Sequence, residues 1–426
     1  MTRIAETTRA HNEAAPAEEK SVGVVHSGRR NFLKNTGLAT MAAMVGASIP
    51  FHRNMPAGLV PVAFAQDGDV LAGKDGLTLL NDRPVNAETP AELLDDAVTP
   101  TSRHFIRNNG IPPENVDPES WTLTIDGFVD NKLELSIADL REQFEVVTLQ
   151  LTLECGGNGR SAFNPPAKGN QWTYGAVACS EWTGVRLKDV LEKAGVQSNV
   201  VYTAHYGADG HLSGNPDKLP ISRGLPIDKA MTDNILIAFE MNGEALHPMN
   251  GAPLRLVVPG WPASTAQKWL TRIELRDQVH DGPKMTGTSY RVPAYPVAPG
   301  QDVPEEDFVI IERMPVKSLV TFPANGSDIG LETDVRGHAW SGDRSISRLD
   351  ISIDFGTTWQ EVELDDPVND GAWQNWRTKV KFPQAGYYEI WARATDSEGD
   401  MQPFAIAWNP KGYLNNTMHR VGVRAS

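Results

Sequence analysis

The chain of 426 residues is 40% hydrophobic and 22% charged, which is enough apolar material for two compact domains and excludes general disorder. Its formal net charge of −15 argues against DNA or RNA as a partner, because nucleic-acid affinity depends on clustered Lys and Arg. A small anionic substrate would need only a local basic pocket. Two cysteines, Cys155 and Cys179, are too few for a disulfide framework and form no CxxC pair, haem-attachment CxxCH or zinc ligand set.

Residues 1–65 have the features of an export signal. Ser27–Lys34 contains paired arginines followed by Phe-Leu and Lys, as in a twin-arginine signal. The mild apolar stretch Leu38–Ile49 is too short and too rich in Gly, Ala and Ser to span a membrane stably. Ala63-Phe64-Ala65 supplies the small residues of a peptidase site, with the cut before Gln66. We therefore expect a periplasmic protein exported by the twin-arginine route; the alternative is a basic tail that happens to contain Arg-Arg.

After this signal, the pattern of the chain changes twice. Residues 66–98 are polar and irregular, and we expect them to form an arm on the surface. Residues 99–300 mix strand and helix patterns, which predicts an α+β domain. The clearest elements are two strands and two helices, the second helix stopped by a glycine at position 195: Trp121–Gly127, Val146–Leu153, Ser136–Phe144 and Leu187–Ala194.

A link rich in proline and acidic residues, Pro299–Asp307, precedes a region of different character. Residues 308–426 show short alternating segments separated by Gly, Asp and Pro turns, with little helical pattern. The clearest of them are Leu349–Phe355, Trp376–Phe382 and Tyr387–Asp396. Short strands at this spacing predict an immunoglobulin-like β-sandwich.

The segment Leu153–Ser161, Leu-Glu-Cys-Gly-Gly-Asn-Gly-Arg-Ser, is the most informative about chemistry. A strand would present Cys155 at its carboxyl end, and the glycines allow a sharp turn close to a bulky group. Arg160 would favour the thiolate, the form that binds soft metals, or hold an anion. A small buried residue or a Cys155–Cys179 disulfide are alternatives. A cysteine nucleophile is disfavoured, because no histidine is paired with Cys155 in the sequence.

Several motifs, in order, resemble the sulfite oxidase family, which includes bacterial periplasmic sulfite dehydrogenases. Besides the Cys-Gly-Gly-Asn-Gly-Arg turn, the resemblance rests on these segments: His104–Asn109, Gln171–Val177, Glu181–Leu191, Glu240–Glu244, Pro253–Gly260, Gln267–Leu270 and Trp408–Asn416. It covers nearly all of the chain from Thr99 onward. It implies a molybdopterin-binding domain in residues 99–300 and a dimerisation domain in the predicted sandwich, and therefore a homodimer.

The resemblance also implies roles for individual residues. Cys155 would bind molybdenum through its thiolate. Five side chains would face the substrate: Arg107, Arg160, Trp172, Tyr290 and Lys411. The two arginines suit this role because the guanidinium fork can bind two oxygens of an oxyanion. Eight residues would hold the molybdenum-molybdopterin cofactor: Phe105, Arg107, Asn108, Asn109, Asn250, Arg255, Gln267 and Lys268.

At two positions the chain departs from the pattern of the animal enzymes. Asn250 stands where they have a histidine. Because asparagine is also polar, we still expect a polar contact at this position. Lys411 replaces an arginine in their Trp-Asn-x-Arg-Gly turn. Because a point charge cannot grip two oxygens as a fork does, we expect sulfite to be bound differently or more loosely.

The reaction implied by the family is the oxidation of sulfite to sulfate, with the new oxygen coming from water. The arginines would place the substrate and counter its charge in a poorly solvated pocket. Because the sequence has no CxxCH motif and no flavin or nicotinamide fingerprint, we expect no haem in this chain and an external c-type cytochrome as electron acceptor. Two alternatives are a related molybdoenzyme acting on a protein-bound sulfane or another oxo compound, and an exported non-catalytic β-sandwich binding protein.

Overall fold

Strands dominate the computed structural model, which describes residues 71–426. The predicted signal peptide, residues 1–65, lies outside the described residues, as does the start of the predicted arm. Between residues 71 and 310 the structure contains fourteen strands: β1 (Thr78–Asp82), β2 (Val85–Glu88), β3 (Ile106–Arg107), β4 (Thr122–Gly127), β5 (Leu133–Ser136), β6 (Val146–Glu154), β7 (Val177–Arg186), β8 (Tyr202–Gly207), β9 (Leu236–Met241), β10 (Glu244–Ala245), β11 (Arg255–Val257), β12 (Leu270–Arg276), β13 (Arg291–Pro293) and β14 (Phe308–Ile310).

Three α-helices lie among these strands in the described part of the chain: α1 (Ile137–Gln143), α2 (Leu187–Ala194) and α3 (Ile227–Ala230). The first two confirm the predicted helices. A capping box starts α1, because Ser136 Oγ accepts the Asp139 amide at 3.0 Å and the Asp139 carboxylate accepts the Ser136 amide at 2.9 Å. Gly195, with φ of +75°, ends α2.

Two sheets form the centre of this region and confirm the predicted strands as β4 and β6. One sheet has the order β10-β9-β7-β6, with β11 also paired to β9, and the other has the order β5-β4-β12-β8. The apolar side chains of both sheets and of α2 share one core, which also contains Cys155 and Trp172. Strand β6 ends at Glu154 and places Cys155 next, at the end of the strand.

Part of the predicted irregular arm is instead a hairpin. Strands β1 and β2 pair antiparallel, and β2 pairs with β3, so that Asn86 lies opposite Arg107. Val85 and Ala87 are buried against Ile106, and this packing stabilises a strand only four residues long. An alternation this short cannot be recognised in the sequence. The hairpin fixes the backbone that carries Arg107.

Residues 317–425 contain eight strands: β15 (Lys317–Phe322), β16 (Asp328–Ile329), β17 (Glu332–Trp340), β18 (Ile346–Ser352), β19 (Gln360–Val362), β20 (Gln374–Lys381), β21 (Gly386–Asp396) and β22 (His419–Ala425). They form one sheet of order β15-β17-β20 and one of order β16-β22-β21-β18-β19, with a shared apolar core. The predicted β-sandwich is therefore confirmed, and its three predicted strands correspond to β18, β20 and β21.

The sandwich and the preceding region belong to one compact unit. Near the predicted link, β14 pairs back with β13. Within residues 71–426, no helix is long and apolar enough to cross a membrane.

Candidate active site

Cys155 begins a tight turn at the end of β6. Its amide donates to the Ala176 carbonyl at 2.9 Å, and its carbonyl accepts the Asn158 amide at 2.8 Å. Gly159 continues the turn with φ of +86°, a conformation that favours glycine. The thiol is free, so the alternative of a Cys155–Cys179 disulfide is wrong.

Cys179 lies in different surroundings although it is also buried. It packs in an apolar cluster with Leu94, Leu319 and Trp373. Burial raises the pKa of its thiol to about 11, and its sulfur accepts a hydrogen bond from Gln150 Nε2 at 3.6 Å. Cys179 is therefore a core residue, whereas Cys155 lies beside ionisable groups.

Arg107 reaches Cys155 from strand β3. Its Nη2 donates to Asn109 Oδ1 at 2.8 Å and to Tyr290 Oη at 3.0 Å, and its guanidinium also interacts with the Cys155 sulfur. Burial acts to lower the pKa of Arg107, but Tyr290, Cys155 and Tyr413 raise it overall. A permanent positive charge is thus held next to the thiol.

Arg160 is enclosed by backbone from both regions of the molecule. Its Nε donates to the Lys411 carbonyl at 2.9 Å, its Nη1 donates to the Asn170 carbonyl at 3.0 Å, and the side chain is buried. A Cβ at Gly157 would lie 2.4 Å from Arg160 Nη2, so only glycine leaves room for the guanidinium. Lys411, predicted to contact the substrate through its side chain, supplies its backbone carbonyl to this network.

Two tyrosines and a further arginine complete this cluster. Tyr290, with φ of +53°, stacks on Tyr413 at 5.7 Å between ring centroids, and its amide donates to Tyr413 Oη at 3.3 Å. The Arg160 guanidinium lies 4.9 Å from the Tyr413 ring centroid, and that of Arg223 lies 5.0 Å from the Tyr290 ring centroid. Burial lowers the pKa of Arg223.

Trp172 is fully buried in the core that contains Cys155. Its indole Nε1 has no hydrogen-bond partner among the described residues. Ordinary core packing accounts for its ring, while the unpaired N–H is available to a further group.

The predicted cofactor residues come together around one cavity. Seven of the eight line it: Phe105, Arg107, Asn109, Asn250, Arg255, Gln267 and Lys268. The eighth, Asn108, is buried and accepts a hydrogen bond from Lys268 Nζ. Asn250 also takes part in a local network, since its Nδ2 donates to the Phe105 carbonyl at 3.2 Å and its own carbonyl accepts Arg255 Nη1 at 2.6 Å.

Positive charge in this cavity is poorly compensated. Burial lowers the pKa of Arg255 to about 9, and burial together with Arg255 lowers the pKa of Lys268 well below its usual range. Lys74, from the arm, is affected in the same way, with a pKa of about 7. Among the described residues that line the cavity, Asp209 is the single carboxylate, and burial raises its pKa to about 6. An anion bound here would relieve the repulsion among the cations.

Unpaired polar atoms mark the same cavity. Gln267 Oε1, Ser264 Oγ and Asp209 Oδ1 are buried and have no hydrogen-bond partner among the described residues. Buried polar atoms are normally paired, so a ligand with both donors and acceptors fits here. An anionic pterin cofactor meets both requirements.

Sequence reasoning missed four residues of the site: Lys74, Asp209, Arg223 and Tyr413. Lys74 lies in the segment interpreted as an arm, yet its Nζ donates to the Thr101 carbonyl at 2.6 Å and to the His104 carbonyl at 3.1 Å. Tyr413 lies two positions after Lys411 in a recognised motif, so that motif was the one available signal. Asp209 and Arg223 occur in loops without any motif.

Fold and site together define a molybdenum-cofactor oxidoreductase. Residues 109–284 match the family model described as oxidoreductase molybdopterin binding domain, and residues 309–426 match that of the Mo-co oxidoreductase dimerisation domain. Sulfite oxidase from Gallus gallus is 34% identical over 81% of this chain and 77% of its own length. The mitochondrial sulfite oxidase of Homo sapiens is 35% identical over 82% of this chain and 66% of its own.

The chain therefore belongs to the sulfite oxidase family and is a molybdenum-dependent oxidoreductase, which confirms the predicted family and enzyme class. Among solved structures, the sulfane dehydrogenase SoxCD from Paracoccus pantotrophus aligns with a TM-score of 0.67 and 27% identity, covering 88% of this chain and 92% of that one. The alternative of a non-catalytic binding protein is not compatible with this assignment.

Proposed function

We propose that this protein oxidises sulfite to sulfate at a molybdenum-molybdopterin centre. The observation that supports it most directly is the free Cys155 thiol, presented on a glycine turn beside Arg107 and next to an undercompensated cationic cavity. When bound, the molybdenum centre supplies oxygen-atom transfer and takes up the two electrons that sulfite loses. The chain then has three tasks: to hold the cofactor, to orient the substrate and to exclude water.

Cys155 holds the metal in this proposal, because a thiolate is a good ligand for a soft metal. Arg255, Lys268 and Lys74 hold the anionic part of the cofactor, since an anion restores the charge balance of these buried cations. The unpaired Gln267 Oε1 is available to a donor on the pterin. Phe105 and Asn109 line the cavity. Asn250 positions Arg255 through its carbonyl, and Asn108 positions Lys268 through its side-chain oxygen.

Arg107 and Arg160 bind the oxygens of sulfite and orient it toward the metal. Both guanidinium groups are fixed by hydrogen bonds before substrate arrives, so little reorganisation is needed when charge moves in the pocket. Tyr290 accepts from Arg107 and donates to Asn109 at 3.1 Å, which places its hydroxyl to hold or pass a proton. Trp172 forms an apolar wall, and Lys411 holds Arg160 in place through its backbone carbonyl.

Export and electron transfer complete the proposal. We place the protein in the periplasm, on the twin-arginine pattern of Ser27–Lys34, and its electrons pass to an external c-type cytochrome. A sulfane substrate is the second candidate, because the aligned Paracoccus pantotrophus protein is a sulfane dehydrogenase. Steady-state assays of purified protein with cytochrome c, comparing sulfite with a protein-bound sulfane, decide between them.

We also propose a homodimer formed by the outer face of the five-stranded sheet. That face carries aromatic and arginine side chains, a composition enriched in protein interfaces. Tyr387 and Phe404 are 59% and 57% exposed, and the Arg420 guanidinium lies 5.6 Å from the Trp391 ring centroid. The match to a dimerisation domain supports a second copy of the chain as the partner. We expect the purified protein to sediment at twice the mass of one chain, and Arg420→Glu to weaken this dimer. A protein that sediments as a monomer, with or without this substitution, would contradict the proposal.

The central test compares Cys155→Ser with Cys179→Ser. Because both thiols are buried and free, the two variants are matched controls for folding. We expect Cys155→Ser to lose sulfite oxidation, while Cys179→Ser keeps both molybdenum and activity. Molybdenum analysis by mass spectrometry and steady-state kinetics provide the measurements. Equal sulfite oxidation by the two variants would refute the role of Cys155.

A further inference from the structure

A buried ion pair joins the two regions of the molecule directly behind Cys155. Glu154 is the last residue of β6, and its carboxylate is 2% exposed. Lys317, the first residue of β15 in the sandwich, donates from Nζ to Glu154 Oε1. Trp340 on β17 donates from Nε1 to Glu154 Oε2 at 2.8 Å. Lys317 and Trp340 are cross-strand partners in β15 and β17, so one sheet presents both donors together.

The same carboxylate also holds the turn that contains the cysteine. Asn158 Nδ2 donates to Glu154 Oε1 at 3.0 Å, and Asn158 Oδ1 accepts the Ala176 amide at 3.1 Å. The Ala176 carbonyl in turn accepts the Cys155 amide at 2.9 Å. A continuous series of hydrogen bonds therefore connects Lys317 of the sandwich to the backbone of Cys155.

We propose that Lys317 and Glu154 are positioning residues for Cys155, and that their paired charges keep the surroundings of the metal ligand electrically neutral. This inference rests on the proposed role of Cys155. Charged groups of this kind, one step removed from a metal ligand, orient the ligand and tune the metal. Loss of one partner leaves the other charge buried and unpaired, where its influence on neighbouring groups is strongest.

The sign of the effect follows from which charge remains. In Lys317→Met the remaining carboxylate lies next to Cys155 and disfavours additional electrons at the metal, so the reduction potential falls and KM for the sulfite anion rises. In Glu154→Gln the remaining ammonium acts oppositely, so the potential rises. The double variant has neither charge, and its potential returns toward that of the unaltered protein.

The test is a redox titration followed by EPR, together with molybdenum content and steady-state kinetics, on the unaltered holoenzyme and the three variants. We expect kcat/KM of Lys317→Met to fall about 10- to 100-fold with molybdenum retained. Lys229→Met is the control, because Lys229 is nearly buried and pairs with Asp343, an exposed residue of the sandwich, without touching the cysteine turn. A purely structural role of Lys317 predicts equal effects in the two lysine variants and unchanged potentials.

Each outcome has a defined meaning. Opposite shifts in the two single variants and recovery in the double variant support the inference. Unchanged potentials in molybdenum-loaded variants overturn it while leaving the proposed function intact. Absence of molybdenum from the unaltered protein would refute both this inference and the proposed function. If Lys317→Met does not fold, the near-isosteric Glu154→Gln provides the test alone. A reduction potential of this variant equal to that of the unaltered protein would contradict the electrostatic effect.

Discussion

The cationic cavity lined by Arg255 and Lys268, and the contacts of Arg107 with Tyr290 and Tyr413 in the neighbouring cluster, place buried cations in opposite electrostatic surroundings. In and beside the cavity, burial lowers the pKa of Arg255 to about 9, and burial together with the charge of Arg255 lowers that of Lys74 to about 7. In the cluster, the neighbours of Arg107 raise its pKa despite its burial. The cations of the cavity are thus unfavourable without an anion, whereas the charge of Arg107 is compensated by its own neighbours.

This difference distinguishes the site of a permanently bound cofactor from the site of a substrate that binds and leaves. A region that becomes favourable only with its anion in place couples binding of that anion to folding stability. A region that is preorganised without its ligand binds and releases it with little rearrangement. Variants in the two regions should therefore fail in different ways.

The largest effect is expected from Arg255→Met. This variant removes a buried charge that the cofactor anion compensates, and we expect about a 10-fold or greater loss of retained molybdenum and pterin, in line with about 1.5–3 kcal/mol for a hydrogen bond to a charged group. Metal analysis and pterin fluorescence after gel filtration measure it. Arg272→Met, at a partly exposed ion pair with Asp126, is the control. Full cofactor retention would show that Arg255 is not a cofactor contact.

An effect of comparable size, but on activity rather than on cofactor retention, is expected from Arg160→Met. Loss of a guanidinium that binds the substrate anion should weaken transition-state binding by about 1.5–3 kcal/mol, and so lower kcat/KM about 10- to 100-fold. Molybdenum content should stay at the level of the unaltered protein, because Arg160 lies outside the cationic cavity. Loss of cofactor in this variant would erase the distinction between the two regions.

The smallest effect concerns the stability of cofactor-free protein as a function of pH. Because the pKa of Lys74 is lowered to about 7 in the folded chain, the unfolded chain binds its proton more strongly between pH 7 and the usual lysine value. Stability should therefore increase as pH rises from 7 to 9, and Lys74 contributes at most about 1.4 kcal/mol per pH unit. Urea unfolding of the cofactor-free protein measures the slope.

Lys74→Met and the loaded enzyme provide the controls for that slope. The variant should have a flatter pH dependence, although Lys268 maintains a slope of the same sign because its pKa is also lowered. A bound anion should raise the pKa of Lys74 and flatten the dependence further. Identical slopes with and without cofactor would place the anion away from Lys74.

The fold was largely predictable because its elements have local signals. Ser136 and Gly195 mark the ends of helices, and the alternation in Val146–Leu153 marks the strand that carries Cys155. The β1–β2 hairpin was missed because β2 has four residues and is stabilised by packing against Ile106, which is distant in sequence. Long-range packing leaves no periodic pattern in a strand so short.

The residues of the candidate site also divide into those with a local signal in the sequence and those without one. Residues within motifs, such as Arg107 and Lys268, were predicted and lie together in the structure. Lys74 and Arg223 were not, because each is a single charged residue in a loop, and only the fold brings them to the pocket. The interaction of Glu154 with Lys317 was equally hidden, since the two residues are 163 positions apart.

The enclosure of Arg160 has a consequence for how the enzyme is made. Its guanidinium donates to a carbonyl 251 positions downstream, and the Gly159 carbonyl accepts a hydrogen bond from Asn415, 256 positions away. A ribosome must therefore synthesise at least 415 residues before this pocket can close, and contacts so distant in sequence form slowly. Incomplete translation products that already carry the cysteine motif would lack a finished anion pocket, which restricts productive loading to polypeptides that extend past Asn415.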